Sequence, residues 1–257
     1  MFTGETRERT RAALVSAAHA DPDINGAAHL GSAAVSHLDA WSDVDLALCV
    51  SPQAQMNEVL ASWTERLYRV HEAVTHFDVH RGEILYRVFL LRNTLQVDLS
   101  FWPASEFRAV GPKFKLIFGT ANQARISPGV SASELVGMAW LYALHVRSSI
   151  ARSRFLQAEY MLSGMKCQTI ALACLRHGLN AVQGRGFDEL PDDQKQEFIK
   201  GCPSSLSAAE LQRAFQITMR RLLAEIRDAD ETLATKIEPT LAAIAQLGNL
   251  SSPGEPG

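Results

Sequence analysis

Asp43 and Asp45 stand two residues apart in the run Asp43-Val44-Asp45-Leu46-Ala47-Leu48-Cys49-Val50, which alternates like a strand. Period-two geometry puts the two carboxylates on one face, and Val44, Leu46, Leu48 and Val50 on the other. Adjacent carboxylates repel one another and lose hydration, and a divalent cation with hard oxygen preference is the usual reason to hold them together. Ten intervening residues separate Asp43 from Gly31-Ser32, a turn that can offer backbone N–H groups and a hydroxyl to an anion. A third carboxylate, Asp98, sits in a second alternating run, Asn93 to Phe101, where Leu95, Val97, Leu99 and Phe101 share one face and Thr94, Gln96, Asp98 and Ser100 the other. If that strand lies beside the first, three carboxylates can hold two Mg²⁺ ions about 3.5–4 Å apart for in-line displacement at phosphorus. A metal site beside an anion site is what a nucleoside triphosphate requires.

Taken alone, an Asp-x-Asp pair is an ordinary solvated strand end, and a Gly-Ser pair is an ordinary turn. Their spacing, together with Asp98, carries the chemistry. Ser42, just before Asp43, can give a hydroxyl to a phosphate or equally cap a turn. Asp78, on a neighbouring β-prone run, is a rival carboxylate with an exposed strand position as its plainer reading. Lys113, Lys115 and Lys166 are candidate polyphosphate cations. Lys166 is preferred because Glu159, Ser163 and Lys166 recur at i, i+4 and i+7 and make a polar stripe on an otherwise apolar helix. Glu159 is the carboxylate placed to meet an acceptor, while Trp41 and Trp102 flank the site and can stack on a base or sugar, with core packing the default for Trp102.

The elements that would position these groups follow from periodicity and punctuation. A first helix runs from Glu5 to about Ala20, and a short strand, Ala27 to Leu30, delivers Gly31, with a short helix from Ser32 to about Leu38. A helix from Pro52 to about Val70 carries Met56, Leu60, Trp63 and Leu67, and β-prone runs follow at His76–His80 and Ile84–Leu91. After Pro103 strand-like alternation nearly disappears. Ser131-Ala-Ser-Glu134 has the pattern of a capping box opening a helix to about Ser153. A second helix spans Leu156 to His177, ended by Gly178, and another starts at Ser207. A last one contains Pro239, which should kink or interrupt it. The expected domains are 1–125, 126–250 and a coreless tail 251–257.

GS-x10-DxD followed by a strand Asp resembles the polymerase-β-like nucleotidyltransferase superfamily, and the layout is similar to that of the antibiotic nucleotidyltransferases. The resemblance implies an α/β (α+β) domain with a mixed β-sheet, followed by an all-α helical-bundle domain. It implies Mg²⁺ as two ions on Asp43, Asp45 and Asp98, with Mn²⁺ possible on oxygen ligands. ATP is then the donor, its phosphates held by Gly31, Ser32, Ser42 and Lys166, and the acceptor is a small-molecule hydroxyl, as on an aminoglycoside or lincosamide, met by Glu159 and Trp102. Two alternatives stay open: AMP transfer to a protein or RNA, and a nucleotide-binding regulator without turnover.

The bulk numbers agree with such a reading. The chain has 257 residues and 47% hydrophobic content, enough for one large or two modest domains. A net charge of −3 offers no global basic field for nucleic acid. The four cysteines, Cys49, Cys167, Cys174 and Cys202, form no CxxC pair and read as reduced thiols. The charged start and the lack of a run of ~20 apolar residues lead us to expect a cytoplasmic protein without a membrane span.

Overall fold

The computed structural model describes residues 1–35, 38–125 and 129–246. The expected tail, 251–257, and part of the segment expected to be helical after Ser32, residues 36–37, lie outside them. The chain divides into two compact units, Met1–Pro128 and Gly129–Gly257. The first is α+β with a mixed sheet and the second is all helical, as the sequence leads one to expect. Among the described residues no helix is long and apolar enough to cross a membrane.

The first unit contains helix α1 (Gly4–Ala20), strand β1 (Ile24–Leu30), a single-turn helix α2 (Gly31–Ala34), β2 (Val44–Val50), α3 (Met56–Val70), β3 (Ala73–Arg81), β4 (Ile84–Leu91), β5 (Gln96–Pro103) and β6 (Phe114–Phe118). The sheet order is β3-β4-β5-β2-β1-β6. Among the paired strands of the described residues β2–β5 alone is parallel, and the chain makes the required long connection through α3, β3 and β4. On one face Leu46, Leu48, Val97, Leu99 and Phe101 pack against Leu14 of α1 and against Val59, Trp63 and Leu67 of α3. The apolar spacing of α3 fits this role, and its Trp63 indole donates to Asp21 Oδ2 at 2.9 Å, so the ring is buried without losing its polar partner. On the other face a smaller cluster of Ala28, Ala47, Cys49, Trp102 and Phe107 fills one end of the sheet. The other end of that same face carries the carboxylates.

Strand β6 was not expected after Pro103. It pairs antiparallel with β1, with Leu30 opposite Phe114 and His29 opposite Lys115, and none of its five residues is buried. A half-solvated edge strand lacks the clean alternation that a buried face imposes, so backbone pairing, not side-chain pattern, defines it.

The second unit comprises α4 (Ala132–Ala151), α5 (Phe155–Arg176), a 3-10 turn at Phe187–Glu189, α6 (Asp192–Lys200), α7 (Ala208–Ala229) and α8 (Glu231–Ala245). Ala139, Ala143, Leu162, Met165, Phe215, Leu222 and Leu241 belong to its core. The Ser207 hydroxyl caps α7 by accepting from Glu210 N, and Gly178 turns the chain out of α5 at φ +67°. One expectation is corrected, and of the kink or interruption expected at Pro239 the interruption does not occur. The Ser131 hydroxyl bonds to Ser133 Oγ at 2.7 Å and makes no side-chain cap. α8 runs on through Pro239, flanked by the buried residues Ala234 and Leu241 that hold it to the core on both sides. The acidic pair Asp192–Asp193 forms the first turn of α6, where it meets the positive end of the helix dipole.

Glu225 of α7, 2% exposed, accepts from the Arg176 and Arg221 guanidiniums and ties α5 to α7. Glu225→Ala would leave Arg221 without its carboxylate and Arg176 with only Asp228 at 3.5 Å and Gln194 at 3.0 Å, with an expected loss of about 3 kcal/mol of unfolding free energy, read from urea denaturation.

Candidate active site

The parallel register brings the three carboxylates together. Asp45 lies directly opposite Asp98 across β2 and β5, and Val44 lies opposite Val97, so both carboxylates project from the same face of neighbouring strands. Asp43 immediately precedes β2 and is two residues before Asp45, hence on that face as well. One carboxylate oxygen from each of Asp43, Asp45 and Asp98 lies within 4.8 Å of the other two, and all three residues are half-buried. That donor set is all oxygen, close-spaced and accessible, which suits a hard divalent cation such as Mg²⁺ or Mn²⁺.

Burial, more than crowding, shows in Asp98. Its pKa is pushed up to about 6, chiefly by burial and further by the Asp43 charge, against the lowering effect of a hydrogen bond from Gln96. Gln96 is a member of the site that sequence reasoning missed. Its Nε2 donates to Asp98 Oδ1 at 3.0 Å, lies 3.2 Å from Oδ2, and reaches Asp43 Oδ2 at 3.4 Å. The amide therefore spans two of the three carboxylates. Its signal in the sequence was its place two residues before Asp98 on the same strand face. Gln96→Ala is expected to weaken Mn²⁺ binding by about 10–100-fold, as loss of outer-shell support does, and calorimetric titration of the metal measures it.

Gly31 and Ser32 are the first two residues of α2, which packs against β1, β2 and β6. Gly31 has φ +57°, and a Cβ there would meet Asp45 Oδ2 closer than the 3.0 Å limit of real Cβ contacts. Glycine is thus required twice: for the left-handed backbone, and for the approach of main chain to the Asp45 carboxylate. The first-turn N–H groups of α2 have no partner within the helix.

Ser42 takes the second of its two expected tasks, within the turn. Its Oγ donates to Asp39 Oδ1 at 2.9 Å and accepts from Asp39 N at 3.0 Å, so both directions of the hydroxyl are used within the turn. The Asp39 carboxylate also accepts from Trp41 N, and the hydrogen bonds from Ser42 and Trp41 hold its pKa below the usual range. Arg7, 6% exposed, donates from Nη1 to the carbonyl oxygens of Asp39 and Ser42. Ser42, read from the sequence as a phosphate ligand or equally a turn cap, here holds the turn that launches Asp43.

Trp102 is also corrected. It shares the sheet face of Asp98 but sits four residues along, about 13 Å away at strand rise. There it is 1% exposed, bonded through Nε1 to Ser100 Oγ and packed edge-on against Tyr86 and Phe107, out of reach of a substrate. Trp41 is 79% exposed, two residues from Asp43. Asp78 lies on the opposite sheet face, opposite Arg87, which holds both its oxygens at 2.7 Å and lowers its pKa, so it is no rival to Asp98. Lys166 and Glu159 both lie on α5 in the second unit. Lys166 Nζ donates to Cys202 Sγ at 3.1 Å, and Glu159 Oε1 accepts from Ser163 Oγ at 2.9 Å.

No family model matches this chain, and no curated protein matches it. Among solved structures it is similar to an aminoglycoside 6-adenyltransferase from Bacillus subtilis, at 14% identity over 90% of this chain and 95% of that one, with a TM-score of 0.40. It is also similar to the polymerase core of TRAMP, an RNA surveillance complex, at 14% identity over 83% of this chain and 57% of that one, with a TM-score of 0.33. Likenesses this loose leave the chemistry to be argued from the residues themselves.

Proposed function

We propose that the protein is a metal-dependent nucleotidyltransferase that moves the nucleoside monophosphate of an NTP, ATP first among them, onto an acceptor hydroxyl and releases pyrophosphate. The observation that carries this reading is the convergence of Asp43, Asp45 and Asp98 within 4.8 Å, with the Gly31 main chain set against one of them. Divalent cations held by the three carboxylates would stabilise charge on the attacking and leaving oxygens. Gly31 and Ser32 would receive the β- and γ-phosphates on the first-turn N–H groups of α2 and the Ser32 hydroxyl. The acceptor oxygen forms its bond to the α-phosphorus in line with the breaking bond to the pyrophosphate oxygen, and Asp98 takes the hydroxyl proton. Gln96 keeps Asp98 and Asp43 oriented.

The test is pyrophosphate release from Mg²⁺–ATP across a panel of hydroxyl acceptors that includes aminoglycosides and lincosamides, with Asp45→Asn as the blank. Acceptor-dependent release that vanishes in the blank is expected. Release that survives undiminished in Asp45→Asn would sink the assignment.

A further inference from the structure

The sheet face that bears Asp98 does not end at β5. Across β4 the register partners of Gln96, Asp98 and Ser100 are Leu90, Val88 and Tyr86, and across β3 the partners of Val88 and Tyr86 are Phe77 and Val79. Directly opposed residues share a face, so these side chains make one surface continuous with the carboxylates. The surface is apolar and open: Phe77 is 59% exposed, Leu90 45% and Val79 37%, while Tyr86 and Val88 are half-buried. The nearest charge along these two strands on this face is Arg81, whose guanidinium lies over the Tyr86 ring at 5.6 Å. Phe77 and Leu90 lie diagonally across the β3–β4 pair, with Leu90 directly facing Thr75, and together with Val88 and Val79 they make an apolar strip that an apolar partner would cover.

In-line displacement says which occupant. Strand order acts as a ruler with steps of about 4.8 Å. In the function proposed above, on which this inference rests, the phosphates lie at Gly31, at the end of β1. The reacting phosphorus lies over Asp45 and Asp98 on β2 and β5. Pyrophosphate leaves toward β1, so the nucleophile must come from the opposite side, over β4 and β3. That side holds Val88, Leu90, Phe77 and Val79.

We infer that Phe77, Leu90, Val79 and Val88 form the acceptor platform, and that the natural acceptor presents its hydroxyl beside an apolar or aromatic ring and is not a polycationic sugar. A polycation would meet no acidic side chain on this face of β3 and β4 and would approach Arg81. A planar or apolar ring would bury the exposed phenyl and leucine side chains instead, and edge or stacked contact with Phe77 would orient the hydroxyl toward phosphorus.

The test uses two phosphodiesters that mimic the transferred product and carry the same charge: the 4-nitrophenyl ester and the methyl ester of adenosine 5′-monophosphate. Their dissociation constants are measured on the full-length protein with Mg²⁺ and without pyrophosphate, alongside that of Mg²⁺–ATP. The platform predicts at least tenfold tighter binding of the aryl ester, falling to less than threefold in Phe77→Ser/Leu90→Ser, with ATP affinity unchanged. Both positions are exposed, and a thermal melt of the variant checks its fold. Equal affinities for the two esters with ATP still bound would overturn the platform and leave the nucleotidyltransferase reading standing, as would an aryl preference that persists in the variant. Loss of ATP binding in the wild type would instead remove the reading beneath it, and the platform with it. Light scattering gives a further outcome: a dimer that Phe77→Ser/Leu90→Ser converts to monomer, with no aryl preference, would assign the face to a second copy of the chain and overturn the inference.

Discussion

Gly31→Ala is expected to abolish most nucleotidyl transfer while leaving the first unit folded. The new Cβ has nowhere to go, because Asp45 Oδ2 occupies its place and the backbone sits at φ +57°. The backbone cost is modest, about 1 kcal/mol for a non-glycine residue in the left-handed region. The chemical cost is larger. Either the Asp45 carboxylate swings away from Asp43 and Asp98, or α2 shifts and carries its N–H groups from the phosphates. A displacement of about 1 Å at a reacting centre costs on the order of a hundredfold in rate. Transfer assays with Mg²⁺–ATP should therefore show at least that loss, with a melting temperature within a few degrees of wild type. Ser32→Ala, which removes one hydroxyl and moves no backbone, should lose far less. Equal activity in Gly31→Ala and wild type would show that main chain and Asp45 are not jointly part of the site.

Much of this centre is legible in the sequence alone, and the reason is periodicity. Asp43, Asp45 and Asp98 interrupt the polar faces of strands whose other faces are Val44, Leu46, Leu48 and Val97, Leu99, Phe101, and only a buried sheet writes that pattern. Helix α3 was visible for the same reason, through its apolar stripe of Met56, Leu60, Trp63 and Leu67. What escaped notice depended on pairing and not on pattern. β6 is an edge strand without a buried residue, and its partner β1 lies far away in sequence. Trp102 looked like a site residue because strand alternation gives its face but not whether the far end of that face is filled, here by Phe107 and Tyr86. Ser42 could be read two ways, and the Asp39 carboxylate, three residues back, decided between them. The continuity of Phe77 and Leu90 with Asp98 required the β4 register, which no local window contains.

Asp98→Asn should move stability and activity in opposite directions. In the metal-free protein Asp98 has a pKa of about 6, against an unfolded value of about 3.9, with burial as the main cause and the Asp43 charge adding to it. A carboxyl group whose folded pKa is raised weakens the fold in its charged form. The penalty is present in full above about pH 6, fades as pH falls through the interval to about 4, and is absent below. Metal-free wild type should accordingly gain stability from this group on acidification from pH 7.5 to 5. Asp98→Asn removes the charge and keeps an oxygen to accept from Gln96 Nε2. At pH 7.5 the metal-free variant should be more stable than wild type by on the order of 1–2 kcal/mol, after discounting for solvent at this half-buried position. The difference should close only below about pH 4. Added Mn²⁺ should raise the melting temperature of the wild type by mass action and leave the variant unmoved. Transfer should fall by about a thousandfold or more, since several kcal/mol of charge stabilisation go with the ligand. A variant less stable than wild type at pH 7.5 without metal would mean that Asp98 is satisfied by the fold alone. The crowding of three carboxylates would then have a structural cause instead of a cation to explain it.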